Sequence, residues 1–269
     1  KGGDLVVAMA VTLPSVDPHA STGVATRYVS AHMFEGVVTR GETGDIIPQL
    51  AASYEMSDDA RTYTFTLRDG VRFHDGSTLD AGDVVASLQR MKDAGVDQGV
   101  MALVENLEAV DDLTVRVTMS EPHPTFLDSL SSPRVIVGIM PEEIAALPKE
   151  EFKPVGTGPF EFVEWVPDSH IRLARFEAYS QQAEATPRDG FGGKRTVYVD
   201  TVTFRTVPEA GAQIAGLLTG DYHIADQVSP QDVPRLEASD EVSAVKGLPW
   251  YMVHQTFNLT KPLGADEHF

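Results

Sequence analysis

Histidines are the side chains in this sequence whose chemistry is most versatile, and they do not fall into a catalytic pattern. The eight histidines lie far apart, and no pair has the i, i+4 spacing of a helical zinc site or forms an H-E-x-x-H motif. No G-x-S-x-G motif presents a nucleophilic serine. The chain has no cysteine, which excludes disulfides, thiol catalysis and zinc–thiolate sites. The sequence therefore predicts no catalytic residue and no dedicated metal motif, although histidines brought together by folding stay an open alternative.

Acidic pairs are the second feature with chemical potential, because two carboxylates can act as general acid and base. All four pairs stand at predicted turns or helix starts, where turn geometry and the helix dipole favour acidic residues: Asp58-Asp59, Asp111-Asp112, Glu142-Glu143 and Glu150-Glu151. A glycosidase-type pair is therefore not expected.

The stretch Gly156-Thr157-Gly158 is a glycine-flanked turn that could be compared with a phosphate-binding loop. No lysine follows at the required distance and no helix begins there, so a phosphate-binding loop is excluded. Two glycines around a threonine instead predict a tight turn with close backbone approach, before a strand over residues 160–166.

The composition indicates a globular, strongly acidic protein. The chain has 269 residues, 42% of them hydrophobic, and a formal net charge of −19. No run of about 18 apolar residues is present to form a membrane-spanning helix. The negative charge disfavours nucleic acid and anionic membrane as partners, and we interpret it as a solubility or salt-tolerance feature. The sequence opens with Lys1-Gly2-Gly3-Asp4 directly before a predicted strand, as a mature or trimmed chain would.

The elements that must position any site are clearest between residues 50 and 92. Strict alternation predicts a strand over Thr62–Leu67, with 52–56 as its partner across a turn. A short strand over 71–73 is predicted next, followed by a turn. A helix then opens at 79–83, because apolar residues recur on one face at helical spacing: Val84, Val85, Leu88 and Met91.

This hairpin and helix carry a family resemblance. The strings LRDGVRFHDG and AGDVVASLQR, in that order, resemble the signature of the family-5 extracellular solute-binding proteins, the dipeptide, oligopeptide and nickel receptors of bacterial ABC importers. Further matched stretches are VDPHAS from Val16, MFEGVV from Met33, IIPQLA from Ile46, PVGTGPF from Pro154, and the segment 250–262.

The resemblance implies an α/β (mixed α+β) fold, a lobe like that of type II periplasmic binding proteins. We expect residues 1–47 and 155–262 to form a mixed-sheet domain and residues 48–154 a smaller inserted α+β domain. Residues 263–269 would begin the crossover to a second lobe. Since members of the family are about twice as long, the sequence is expected to represent the amino-terminal lobe only.

The matched segments also imply where a ligand would bind. We expect the wall of the cleft to be formed by Leu13, Pro14, Ser15, Val16, Asp17, His32, Glu35, Arg134, Gly156, Thr157, Gly158, Asp226, Trp250 and Tyr251. In this set Arg134 is a candidate partner for an anionic group, Asp226 for an ammonium group and Trp250 for stacking. A surface arginine, a structural aspartate and a core tryptophan stay open as alternatives. His223 stands where the family has an acidic residue, so Asp226 is the nearer candidate.

The implied function is that of the substrate-binding component of an ABC importer, which delivers a small solute to a membrane permease. A di- or oligopeptide is the expected ligand, with a nickel chelate, an opine or a sugar as alternatives. The protein is expected to be a periplasmic or lipid-anchored monomer that needs no cofactor. A secreted hydrolase and a chaperone-like module are the rivals from other classes.

Overall fold

The computed structural model describes residues 2–95, 99–182, 188–226 and 228–245. Eleven strands and six helices are found there, in this order: β1 (Asp4–Met9), α1 (Val24–Met33), β2 (Val38–Arg40), β3 (Ile46–Pro48), β4 (Ala51–Met56), β5 (Thr62–Leu67), α2 (Ala81–Ala94), β6 (Val104–Asp111), β7 (Thr114–Met119), α3 (Phe126–Leu130), α4 (Glu142–Ala145), β8 (Phe160–Val166), β9 (His170–Arg175), β10 (Thr201–Thr206), α5 (Ala210–Thr219), β11 (Ile224–Ala225) and α6 (Val233–Glu237). Single 3-10 turns occur at Met101–Leu103 and Lys149–Glu151. Mixed α/β architecture is therefore confirmed.

A five-stranded mixed sheet has the strand order β11-β1-β10-β9-β8. Strand β1 lies parallel to both β11 and β10, while β9 is antiparallel to its two neighbours. Strands β11, β1, β10 and β8 therefore all run in one direction. We call the side on which these four strands begin the amino edge and the side on which they end the carboxyl edge.

The predicted hairpin belongs to a second, antiparallel sheet with the order β4-β5-β7-β6. Strand β5 has the predicted bounds Thr62–Leu67, and its apolar side chains Tyr63, Phe65 and Leu67 are buried while its threonines face outward. The predicted strand over 71–73 is wrong, since the chain makes only an isolated bridge between Arg72 and Thr78. Turns on both sides leave too little extended chain for a ladder.

Helix α2 begins where a capping box fixes it. The Asp80 side chain accepts hydrogen bonds from the backbone N–H groups of Gly82 and Asp83, and the Asp83 carboxylate accepts one from the N–H of Asp80. Reciprocal capping of this kind satisfies N–H groups that have no partner inside the helix. The apolar face of α2 then packs on the antiparallel sheet.

Two apolar cores correspond to the two larger sheets. One contains buried residues of β4, β5, β7 and α2. The other contains buried residues of α1, β1, β8, β9 and β10. The strands of the five-stranded sheet come from residues 4–9 and 160–225, and those of the antiparallel sheet from 51–119. The domain limits given above, at 47/48 and 154/155, stay a prediction.

Within the described residues, no helix is both long enough and apolar enough to cross a membrane.

Candidate functional site

Three parallel strands end side by side at the carboxyl edge, and the loop after β1 meets the end of β11 there. The backbone N–H of Ala10 donates to Oδ1 of Asp226 over 2.9 Å. The second carboxylate oxygen, Oδ2, has no hydrogen-bond partner within the described part of the chain. Burial raises the pKa of Asp226 above its usual value, since desolvation penalises the charged form. Asp226 therefore has one buried carboxylate oxygen without a partner among the described residues.

The loop Leu13–Asp17 is held on this side by packing and an internal ion pair. Leu13 is buried in the core beneath α1. Both carboxylate oxygens of Asp17 accept hydrogen bonds from the Arg90 guanidinium, over 3.1 and 2.6 Å. Pro14 is exposed, while Ser15 and Val16 line a cavity of about 670 Å³ that reaches Trp165 on β8. Asp17 is therefore bound to Arg90 within the fold. The accessible surface of this loop comes from Pro14, Ser15 and Val16.

Helix α1 carries the chain from the carboxyl edge to the amino edge, where the Gly156-Thr157-Gly158 turn lies. The N–H of Gly158 donates to the carbonyl of Met33, the last residue of α1. A Cβ at Gly156 would lie 2.2 Å from the Met33 carbonyl oxygen, and one at Gly158 would lie 2.5 Å from that of His32. Only glycine fits at these two places, as the sequence predicted for a close-approach turn.

Glu35 is the polar centre of the amino edge and is only 3% exposed. Its carboxylate accepts hydrogen bonds from the Thr157 hydroxyl over 3.0 Å and the Tyr179 hydroxyl over 2.8 Å. The Arg195 guanidinium lies 3.5 Å from the same carboxylate. Burial raises the pKa of the Tyr179 phenol, with the Glu35 charge adding to the effect, so this hydroxyl stays a donor. These contacts tie three distant segments together.

His74, from the predicted signature stretch, connects the two sheets. Its Nδ1 accepts from the N–H of Gly156 over 3.2 Å, and its Nε2 lies 3.0 Å from the carbonyl oxygen of Gly158. This arrangement requires a neutral ring with the proton on Nε2. Burial lowers the pKa of His74 to about 4, which agrees with that state. The two sequence landmarks therefore contact each other directly.

The residues predicted for one ligand wall thus fall into two groups. Leu13–Asp17 and Asp226 lie at the carboxyl edge, and His32, Glu35 and 156–158 lie at the amino edge. Helix α1 is about 15 Å long, but Ser15, Val16 and Asp17 line one cavity with Pro154 and Val155, directly before the 156–158 turn. Arg134 is exposed in the loop after α3, on the amino-edge side. Trp250 and Tyr251 lie outside the described residues. The ligand-binding roles of all these residues stay predictions.

His32 is half-buried, and its ring makes contacts within the fold. Its Nδ1–H donates to the Tyr28 carbonyl over 2.7 Å, and its ring lies against Phe160 and Phe204. Burial lowers the pKa of His32 to about 4, so the ring is neutral at physiological pH. Among the described residues, no group of three or more metal-ligating side chains is placed to hold a metal ion.

Sequence reasoning missed three residues that organise these regions: Arg90, Tyr179 and Arg195. Their partners lie 73 residues away for Arg90 and 144 for Tyr179. Arg90 carries one signal, since it is only 8% exposed and lies at helical spacing from the buried polar residues Asp83 and Ser87 of α2. Tyr179 and Arg195 stand in a stretch rich in glycine, glutamine and charge, which gives no signal of burial.

Comparison with known proteins identifies related chains. The sequence profile described as "Bacterial extracellular solute-binding proteins, family 5 Middle" matches residues 45–269. A relative, the glutathione-binding protein GsiB of Pectobacterium atrosepticum, is 30% identical over 246 residues, which cover 90% of this chain and 45% of the relative. The chain spans about half the length of the curated relatives it matches.

Solved structures of similar proteins agree with this match. The periplasmic binding protein AgaA of A. tumefaciens R10, in complex with agropinic acid, superposes with a TM-score of 0.76 at 28% identity, covering 88% of this chain and 46% of AgaA. The periplasmic binding protein DppA of Helicobacter pylori, in complex with the peptide STSA, gives a TM-score of 0.75 at 29% identity, covering 89% and 49%. The fold expected from the sequence, that of a type II periplasmic binding protein, is confirmed.

Proposed function

Because the chain belongs to family 5 of the bacterial extracellular solute-binding proteins, we propose that it is the capturing part of an ABC importer's receptor. In this proposal the carboxyl edge of the five-stranded sheet forms one wall of the solute cleft. The bound solute passes to a membrane permease, and the protein does no chemistry on it. The receptor works as a monomer on the outer side of the cytoplasmic membrane.

The observation that carries the proposal is the convergence of β11, β1 and β10 at the carboxyl edge, with one buried carboxylate oxygen of Asp226 that has no partner among the described residues. In open sheets with parallel strands, ligands bind in the crevice outside the carboxyl ends of the strands. The loop Leu13–Asp17 borders this crevice, and its rigid attachment through Arg90 keeps the wall in place. Preorganised walls of this kind lower the cost of ordering on binding.

A peptide-like ligand fits the chemistry at Asp226. The unpartnered oxygen, which is itself buried, is an acceptor and suits the ammonium group of a peptide. A related receptor binds glutathione, and a structural neighbour holds a tetrapeptide. An opine is the second candidate, because the AgaA complex contains agropinic acid at similar sequence identity.

Titration calorimetry with short peptides, glutathione and an opine tests the proposal. We expect micromolar or tighter binding of at least one peptide-like ligand, and no product when the mixture is analysed by mass spectrometry. Asp226→Asn should weaken peptide binding at least about tenfold, since a charge-assisted hydrogen bond is lost. Asp58→Asn removes the same charge from an exposed turn of the other sheet and is the matched control.

The outcomes separate the candidates. Binding of the opine alone would favour the second candidate, and turnover of any ligand would overturn the receptor proposal. Equal peptide affinity of Asp226→Asn and the unaltered chain would remove Asp226 from the site while leaving the receptor function in place.

A further inference from the structure

A second cavity opens at the amino edge, on the side of the sheet opposite to the proposed solute cleft. It has a volume of about 680 Å³. Its walls come from the end of α1, the loop after α3, the start of β8 and the segment 188–198. Neither Asp226 nor any residue of the loop Leu13–Asp17 is among the residues that line it. The cavity is therefore spatially separate from the carboxyl edge.

The charge of this cavity is opposite to that of the protein. The whole chain carries 40 acidic and 21 basic residues. Among the described residues that line the cavity there is no carboxylate, while Arg188, Lys194 and Arg195 supply three cationic groups. Clustered charge of one sign in a concave, low-dielectric site concentrates counter-ions of the opposite sign. An anion is therefore the ligand that this cavity attracts.

Two of the three cations are available. Arg195 is engaged by Glu35 and by the Ala31 carbonyl, to which it donates over 2.6 Å. Arg188 and Lys194 are exposed, and neither forms a salt bridge within the part of the chain that the structure describes. Among the described residues, the Arg188 side chain forms one hydrogen bond, from its Nε–H to the Gly190 carbonyl. No described residue pairs with its terminal N–H groups or with the Lys194 ammonium, and we take these as the groups that meet a ligand.

The remaining lining is largely apolar and partly aromatic. Phe160, Val135 and Val197 contribute to the walls, and the neutral His32 ring adds no charge. Phe191 and Tyr198 are 51% and 61% exposed, which is high for large aromatic side chains. Aromatic rings of this kind offer contact area at little loss of conformational freedom. The occupant must therefore have an apolar body as well as a negative charge.

The segment that carries the cations is held in place by backbone contacts. The Phe191 N–H donates to the Arg40 carbonyl over 2.9 Å. The Asp189 carboxylate accepts from the N–H of Glu42 over 2.7 Å. A Cβ at Gly190 would lie 2.6 Å from the Arg40 carbonyl oxygen, so the segment approaches β2 closely. The cationic groups are thus presented from an ordered support.

We propose that this amino-edge cavity is a binding site for an organic carboxylate with an aliphatic or aromatic body. Arg188 and Lys194 bind the carboxylate, and Phe191 and Tyr198 contact the apolar part. The site is additional to the solute cleft and does not depend on the importer function.

Calorimetry with 4-phenylbutyrate and its neutral amide, 4-phenylbutyramide, tests the site. The acid should bind at least about tenfold more tightly than the amide, because the two differ only in the charged group that the cations meet. Raising the salt concentration should reduce the difference, since the cationic groups are exposed. Phe191→Ala should weaken both probes to a similar degree.

Charge variants locate the site. Arg188→Gln and Lys194→Gln should each weaken binding of the acid about three- to tenfold and leave the amide unchanged. Lys149→Gln, an exposed lysine at the other cavity, removes the same charge and should leave both affinities unchanged. Equal affinity of acid and amide, or equal weakening by all three lysine and arginine variants, would overturn the proposal. All of these residues are exposed, so the variants are expected to fold, and circular dichroism checks that they do.

Discussion

Removing either member of the buried pair between Asp17 and Arg90 should destabilise the protein about as much as removing both. The two side chains are only 3% and 6% exposed and are joined by two hydrogen bonds, of 3.1 and 2.6 Å. The Arg90 guanidinium also lies 5.1 Å from the centre of the Phe152 ring, which covers it on one side. Removing one partner leaves a charge buried without compensation, which costs about 3–5 kcal/mol.

A double-mutant cycle measures this coupling. Arg90→Met and Asp17→Asn should each lower the free energy of unfolding by about 3–5 kcal/mol. The double variant should lose a similar amount rather than the sum of about 6–10 kcal/mol, because it buries no unpaired charge. Urea unfolding followed by circular dichroism gives the three values.

A solvent-exposed pair in the antiparallel sheet is the matched control. Arg116 and Glu108 are 3.0 Å apart, with side chains 41% and 45% exposed. Arg116→Met should cost about 0–1 kcal/mol, as is usual for surface pairs. Additive losses in the Asp17–Arg90 cycle, or a loss for Arg90→Met as small as that for Arg116→Met, would refute the reasoning. Asp17 would then be available to a ligand.

Three further predictions concern the amino edge. Gly156→Ala should lower the free energy of unfolding in urea by about 1–3 kcal/mol or more, because the new Cβ would meet a backbone carbonyl. The control Gly211→Ala has no atom within 4 Å of the new Cβ and should be neutral or stabilise by about 0.5–1 kcal/mol. Equal effects of the two substitutions would contradict the close-approach argument. Because the pKa of His74 is about 4 in the folded protein against an ordinary 6.5, the unfolded chain binds the proton more readily. Stability should therefore fall as pH drops from about 6.5 to 4, and His74→Gln should make this slope shallower; an unchanged slope would exclude the buried neutral ring. Tyr179→Phe should cost about 1–3 kcal/mol in the same unfolding assay, because Glu35 loses a buried donor, and a loss below about 0.5 kcal/mol would contradict that role.

Local patterns identified many of the elements and the family. Alternation over Thr62–Leu67 predicted β5 with its observed bounds, because a strand with one buried face leaves a period-two signal. The recurrence of apolar residues after Asp83 predicted α2, and two closely spaced glycines predicted the tight turn at 156–158. These features depend on neighbouring residues alone, so they can be read from the sequence.

The arrangement of the candidate site was not available from the sequence. Motif matching placed Asp17, Glu35 and Thr157 in one wall, but in the structure Glu35 and Thr157 are bonded to each other whereas Asp17 is paired with Arg90. The partners that occupy Asp17 and Glu35 are far away in the chain, and no local pattern encodes them.

The sequence by itself determined the composition, the family and the bounds of the strongly periodic elements, because those depend on residue type and short spacing. Only the tertiary structure decided which polar side chains are engaged by the fold and which lack a partner among the described residues. The physical reason is that burial and pairing are set by contacts between segments more than 70 residues apart. Asp17 and Glu35 are satisfied by such contacts, whereas one buried oxygen of Asp226 has no hydrogen-bond partner, and Arg188 and Lys194 have no salt bridge, among the described residues.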